Sequence, residues 1–108
     1  MASPINVTAT GLAIVGAGRL SSMFIGTDGV YDPQITIHDN AASAAGIEIL
    51  PTTIFDASAL GLNGFTLGDI ISALDFKFGL YVTVEASGGG PFGGTVEITL
   101  GVIRSRSA

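Results

Sequence analysis

Hydrophobic and polar residues alternate with a period of two along most of the chain. In QITIHD, Ile35 and Ile37 fall on one side of an extended backbone and Thr36 and His38 on the other, the pattern of a half-buried strand. On that reading His38 is an exposed strand residue. GIEIL continues the alternation with Ile47 and Ile49 against Glu48. The longest run sets Phe76, Phe78, Leu80, Val82 and Val84 against Lys77, Gly79, Tyr81, Thr83 and Glu85. It is matched by TVEITLGV, where Val96, Ile98, Leu100 and Val102 oppose Thr95, Glu97 and Thr99. Upstream, INVTAT and LAIV read as one strand or two short ones, and GRLSSMFIG as another.

Turn chemistry separates these runs. In DNAASAAG, Asp39 and Asn40 are turn formers whose side chains bond nearby amides, so QITIHD and GIEIL form a hairpin. The segment EASGGGPFGGT, with five glycines around Pro91 and Phe92, predicts a second antiparallel hairpin between the last two runs, Phe92 being an apolar tip on its loop. One stretch departs from the strand pattern: in NGFTLGDIISAL, Thr66 is placed to cap a short helix carrying Asp69, Ile70, Ile71 and Leu74. Together these elements predict an all-β chain, an antiparallel β-sandwich or jelly-roll-like barrel of about 7–9 short strands, with at most one short helix near 67–74.

Composition narrows the setting. At 108 residues the chain fits a single domain, with residues 1–5 as an N-terminal arm and 104–108 as a C-terminal tail. It is 47% hydrophobic and only 12% charged, with sixteen glycines, and its mean hydropathy is +0.61. Soluble monomers seldom expose large apolar patches, so part of this surface is expected to be covered, most simply by self-association. The apolar run Gly11–Gly18 is far short of the roughly 20 residues a membrane helix needs. MASPINVT lacks a basic segment followed by an apolar one, so no secretory signal is expected. The absence of cysteine removes disulfides, thiolate metal sites and thiol nucleophiles. A net charge of −5, with only Arg19, Lys77, Arg104 and Arg106 as cations, argues against a nucleic-acid partner. Arg104 and Arg106, in RSRSA, are candidate contacts to an acidic neighbour, set against the plainer reading of a solvated terminus.

Candidate chemistry is sparse. IVGAGR begins like a dinucleotide fingerprint: LAIV supplies a strand, Gly16 and Gly18 the first two glycines, and Asp39 an acidic residue at about the right distance. The third small position is Ser21, however, and Gly26, Gly29 and Pro33 break the helix that must follow. Gly16 and Gly18 are therefore expected in a bend or bulge between two strands. His38 is the chain's one histidine, and no GxSxG elbow accompanies its serines, so no catalytic triad is named. Asp28, Asp32, Asp39 and Asn40 match no EF-hand spacing and read as turn residues. Glu48, Glu85 and Glu97 read as solvated charges. No enzyme activity, cofactor or metal is expected.

The succession GRLSSMFIG, TIHDNAASAAGIEI, FKFGLYVTVEASGG and GGTVEITL resembles the capsid decoration (cement) and head-fibre proteins of tailed bacteriophages. The DNAA turn after an alternating strand, and GLYVTV leading through glycines to a last strand, carry the likeness. TDGVYDP and ALGLNGFTLGDIISAL are longer than the corresponding connections in that group. The resemblance implies a β-sandwich, often trimeric, on the virion exterior after assembly in the host cytoplasm, where it bridges major capsid protein subunits. Tyr31, Phe92, Arg104 and Arg106 are the residues expected to meet such partners. A carbohydrate- or receptor-binding module, with Tyr31, Tyr81 and Phe92 as aromatic contacts, is the alternative.

Overall fold

The computed structural model describes residues 3–27, 29–56, 65–66 and 74–104. These residues form β1 (Ser3–Val7), β2 (Gly11–Val15), β3 (Gly18–Thr27), β4 (Pro33–His38), β5 (Glu48–Ile54), β6 (Phe65–Thr66), β7 (Leu74–Phe76), β8 (Gly79–Ala86) and β9 (Val96–Arg104), with no helix among them. One sheet runs β1-β9-β3, and the outer edge of β3 is shared by β6, opposite Phe24 and Ile25, and β7, opposite Gly18 to Leu20. The other sheet runs β2-β8-β4-β5. Every pairing is antiparallel. With β6 and β7 counted as one interrupted strand, two four-strand sheets face each other, and the chain changes sheet at nearly every connection. That order is the wrapping of a jelly roll.

Alternation along the strands builds the core. Val96, Ile98, Leu100 and Val102 of β9 and Leu80, Val82 and Val84 of β8 are buried between the sheets with Ile35 and Ile37 of β4. Each such side chain contributes on the order of 1.5–3 kcal/mol when withdrawn from water. In β3 the buried residues are Leu20, Met23 and Ile25, a spacing that breaks the period of two. A register shift between Leu20 and Ser22 absorbs the extra residue. There the Ser21 hydroxyl donates to the Gly101 carbonyl at 2.9 Å. Pro51, which has no amide to donate, lies in β5 at the edge of its sheet, where a proline is tolerated.

Several sequence expectations hold. β4 and β5 form the expected hairpin. Gly16 has φ 100° in the bend between β2 and β3, and Gly18 opens β3 with no helix at Arg19. Others are corrected. The run from Phe76 to Val84 is two strands in different sheets: Phe76 ends β7, Lys77 and Phe78 turn a corner, and β8 begins at Gly79. Phe78, expected in the core, is 62% exposed at that corner. β8 and β9 do not pair; they belong to opposite sheets, and the glycine-rich segment crosses between them. Ser3 to Ile5, expected in an arm, pair with β9 as part of β1, and Arg104 is the last residue of β9 rather than tail. Ile47 is exposed, because the chain reaches it before β5 begins. Thr36 is buried rather than solvated, its hydroxyl 2.8 Å from that of Thr52 on the neighbouring strand. The helix expected near 67–74 falls largely outside the described residues, and Leu74 is in β7.

Candidate functional site

The sandwich has two unlike ends. At one, the β3–β4 and β8–β9 connections meet. Gly88, Gly89 and Gly90 all have positive φ, which lets the latter connection curl so that the Ala86 amide donates to the Gly90 carbonyl and the Ala86 carbonyl accepts the Gly89 amide. The Gly88 amide donates to Gln34 Oε1 at 3.1 Å, fastening this connection to β4. Phe92 then folds back: its ring packs against the core and meets Tyr31 edge to face, with centroids 6.5 Å apart and planes at 82°. Phe92 is thus not the projecting tip the sequence suggested. Val30 and Tyr31 are the exposed groups, at 69% and 53%. Gly94 lies directly beneath both rings, where a Cβ atom would come within 2.8 Å of Tyr31 and 3.0 Å of Phe92. Val30, Tyr31, Asp32, Ser87 and Phe92 line a recess of about 290 Å³.

At the other end, three connections converge on Asp39. Its carboxylate is buried and accepts the backbone amides of Lys77 at 2.9 Å, Phe78 at 2.8 Å and Gly79 at 3.4 Å. Burial on its own raises the Asp39 pKa, but the amides of Phe78, Lys77 and Gly79, with the Lys77 charge, outweigh it and hold the group below its ordinary value. The Phe78 carbonyl accepts the Gly16 amide at 2.8 Å, and the Asp39 amide donates to Ile47. Asn40 holds the adjoining loop, its Oδ1 accepting the amides of Ala42 and Ser43. Beside this knot is a second recess, of about 480 Å³, lined by Gly18, Arg19, Asp75, Phe76, Lys77 and Ile103. Arg19 and Asp75 pair across its mouth at 2.8 Å.

Of the sequence-predicted contact residues, Tyr31 and Phe92 are brought together although sixty-one positions apart. Arg104 lies at the opposite end, its Cα across from Gly18, and Arg106 lies outside the described residues. Tyr81 is on β8 between Leu12 and His38, on the outside of the second sheet. His38 is less exposed than expected: its side chain retains 13% exposure, with Nε2 3.7 Å from Glu48 and Nδ1 buried without a hydrogen-bond partner. Asp39 is the residue whose role the sequence understated. It looked like a local turn former, and nothing local points to amides about forty positions away. Among the described residues, no three of His, Asp and Glu gather as a metal-ligand set.

The end built on Tyr31 and Phe92 offers an apolar, aromatic contact surface with carboxylate and hydroxyl groups at its margin. The end built on Asp39 offers a rigid, charge-bearing recess. Compared with protein-family models, curated proteins and solved structures, the chain matches none.

Proposed function

We propose that the protein is a structural component of a bacteriophage capsid exterior, where copies of it associate with one another and bridge neighbouring major capsid protein subunits. The observation that carries this reading is the apolar apex of Val30 and Tyr31, exposed to solvent but braced from beneath by Phe92 and Gly94. A braced aromatic loses little side-chain freedom on docking, so more of its burial, at about 25 cal/mol per Å², goes into binding. Many copies on one lattice then add avidity. The jelly-roll wrapping supports the reading by fold analogy, since that architecture is common among viral capsid domains. The role is mechanical and uses no cofactor.

The test is co-sedimentation of the purified protein with purified tailed-phage capsids, followed by heating. Bound protein and a higher capsid disruption temperature are expected; no binding and no gain in heat resistance would overturn the reading. A second reading, a saccharide- or receptor-binding module, is favoured by one feature. The recess sets the Tyr31 ring beside Asp32 and Ser87, an aromatic face next to hydrogen-bonding groups. Binding on a glycan array, abolished by Tyr31→Ala, would favour it.

A further inference from the structure

The outer face of the first sheet carries little charge. Buried Met23, Ile25, Ile98 and Leu100 alternate along β3 and β9 with residues that point the other way, and the strand registers set those residues in rows. One row is Pro4, Gly101 and Ser22 across β1, β9 and β3; the next is Asn6, Thr99 and Phe24. Neither row holds an ionisable group. Among the described residues, the charges of this face stand at its two ends, with Glu97 at one and the Arg19–Asp75 pair beside Ile103 at the other. The outer face of the second sheet differs, for His38, Glu48 and Glu85 stand on it. The uncharged rows also have relief. Phe24 is 40% exposed, whereas the next row is low at Gly101, where a Cβ would collide with the Ser22 hydroxyl.

We propose that this face is the contact between two copies of the chain, stacked sheet on sheet about a two-fold axis over the Met23–Leu100 pair. This rests on the self-association proposed above and specifies its geometry. An axis lying in the face, perpendicular to the strands, sets Phe24 of each copy over Ser22 of the other and Thr99 over Gly101. The protruding ring meets the low row on both sides, as an isologous contact requires. The same axis puts Glu97 opposite Ile103 and the Arg19–Asp75 pair, not opposite a second Glu97. Two copies of a chain with net charge −5 therefore meet here with little repulsion. The area suffices as well. At ~3.3 Å per residue and ~4.8 Å between strands, this sheet covers roughly 450–500 Å², so two faces bury on the order of 1,000 Å², where specific interfaces begin. Aligned stacking about 10 Å apart is an ordinary packing of two sheets.

Sedimentation velocity on the full chain tests the contact, with circular dichroism checking that each variant folds. Wild type is expected to form a dimer of equal strength at low and high salt, because no ion pair holds it. Ser22→Arg, which sets a charge into the contact, is expected to weaken the dimer at least about tenfold. Leu12→Lys, exposed on the other sheet, is expected to leave it intact. The axis has its own readout. The chain has no cysteine, so a short thiol cross-linker is expected to join an equimolar mixture of Ser22→Cys and Phe24→Cys faster than either variant alone. A monomeric or trimeric wild type, a dimer that Ser22→Arg leaves intact or that Leu12→Lys weakens as much, or a mixture joined no faster would overturn the proposal. Capsid co-sedimentation is scored separately. A monomeric wild type that loses capsid binding on Ser22→Arg gives this face to the capsid and removes the present inference alone. A dimer that does not bind capsids removes the capsid reading alone.

Discussion

The carboxylate of Asp39 stands 2.8 Å from the backbone nitrogen of Phe78, a residue thirty-nine positions further along the chain. That contact fixes the point at which the backbone leaves one sheet for the other. A charged acceptor serving consecutive amides is worth more than a neutral one, about 1.5–3 kcal/mol for a single such bond. Asparagine keeps one acceptor and turns a donor toward amides that are themselves donors. Asp39→Asn is expected to cost about 2–3 kcal/mol, read as a lower urea midpoint with an unchanged slope.

The same group sets an acid limit. Its folded pKa lies below its ordinary value because the amides of Phe78, Lys77 and Gly79, with the Lys77 charge, overcome the opposing effect of burial. A depressed folded pKa means that the stabilisation is fully present above the unfolded value of about 3.9 and is lost as pH falls through the folded one. Wild type is expected to lose more stability than Asp39→Asn between about pH 5 and pH 2, so that the gap between them narrows on acidification. Urea denaturation of both proteins across that window measures it.

Phe76 and Phe78 occupy equivalent places in the alternating pattern and unequal places in the molecule, at 2% and 62% exposure. Phe76→Ala is expected to cost about 3–5 kcal/mol through lost burial and a residual cavity. Phe78→Ala is expected to stay within about 0.5 kcal/mol, as surface substitutions usually do. Equal losses in thermal denaturation would mean that the corner is not where the structure puts it.

That pair also shows how far the sequence reaches. β9 was legible residue by residue, since one uninterrupted strand carries one phase and Val96, Ile98, Leu100 and Val102 are all buried. The run through Phe76 and Leu80 also keeps one phase, because both residues face the core from either side of the corner. A period of two is blind to which sheet a strand joins, and the break is enforced by Asp39, far away in sequence. The same blindness made the glycine-rich β8–β9 connection look like a hairpin, for glycines permit a reversal within a sheet and a crossing between sheets alike. Tyr31 and Phe92 were each recognisable as surface aromatics. Their meeting depends on the β3–β4 and β8–β9 connections sharing one end of the sandwich, which is a property of the wrapping.

Two glycines separate space from flexibility. A Cβ on Gly18 would lie 2.8 Å from the Phe76 ring and 2.9 Å from the Ile103 carbonyl oxygen, whereas one on Gly93 meets nothing within 4 Å. Gly18→Ala is expected to destabilise by about 1–3 kcal/mol through overpacking. Gly93→Ala is expected to be neutral or to stabilise by up to about 1 kcal/mol, by restricting the unfolded chain. Melting temperatures of the two variants give the comparison.

At the opposite end, Tyr31→Ala removes an exposed ring and Phe92→Ala removes the one beneath it. Both are expected to lower capsid retention in the co-sedimentation assay. Only Phe92→Ala is expected to lower the melting temperature as well, because its ring also packs on the core. A Tyr31→Ala protein that binds capsids as wild type does would remove the apex from the contact.

Among the described residues, β1 pairs with β9 alone. During synthesis β1 therefore waits for β9 before its described pairing can form, and β3 waits for the same strand on its inner edge. Contacts this distant in sequence make folding slow and leave unpaired edges exposed meanwhile. A nascent chain stalled before Val96 would hold its second sheet's strands but no finished first sheet, a species open to chaperones and to proteases.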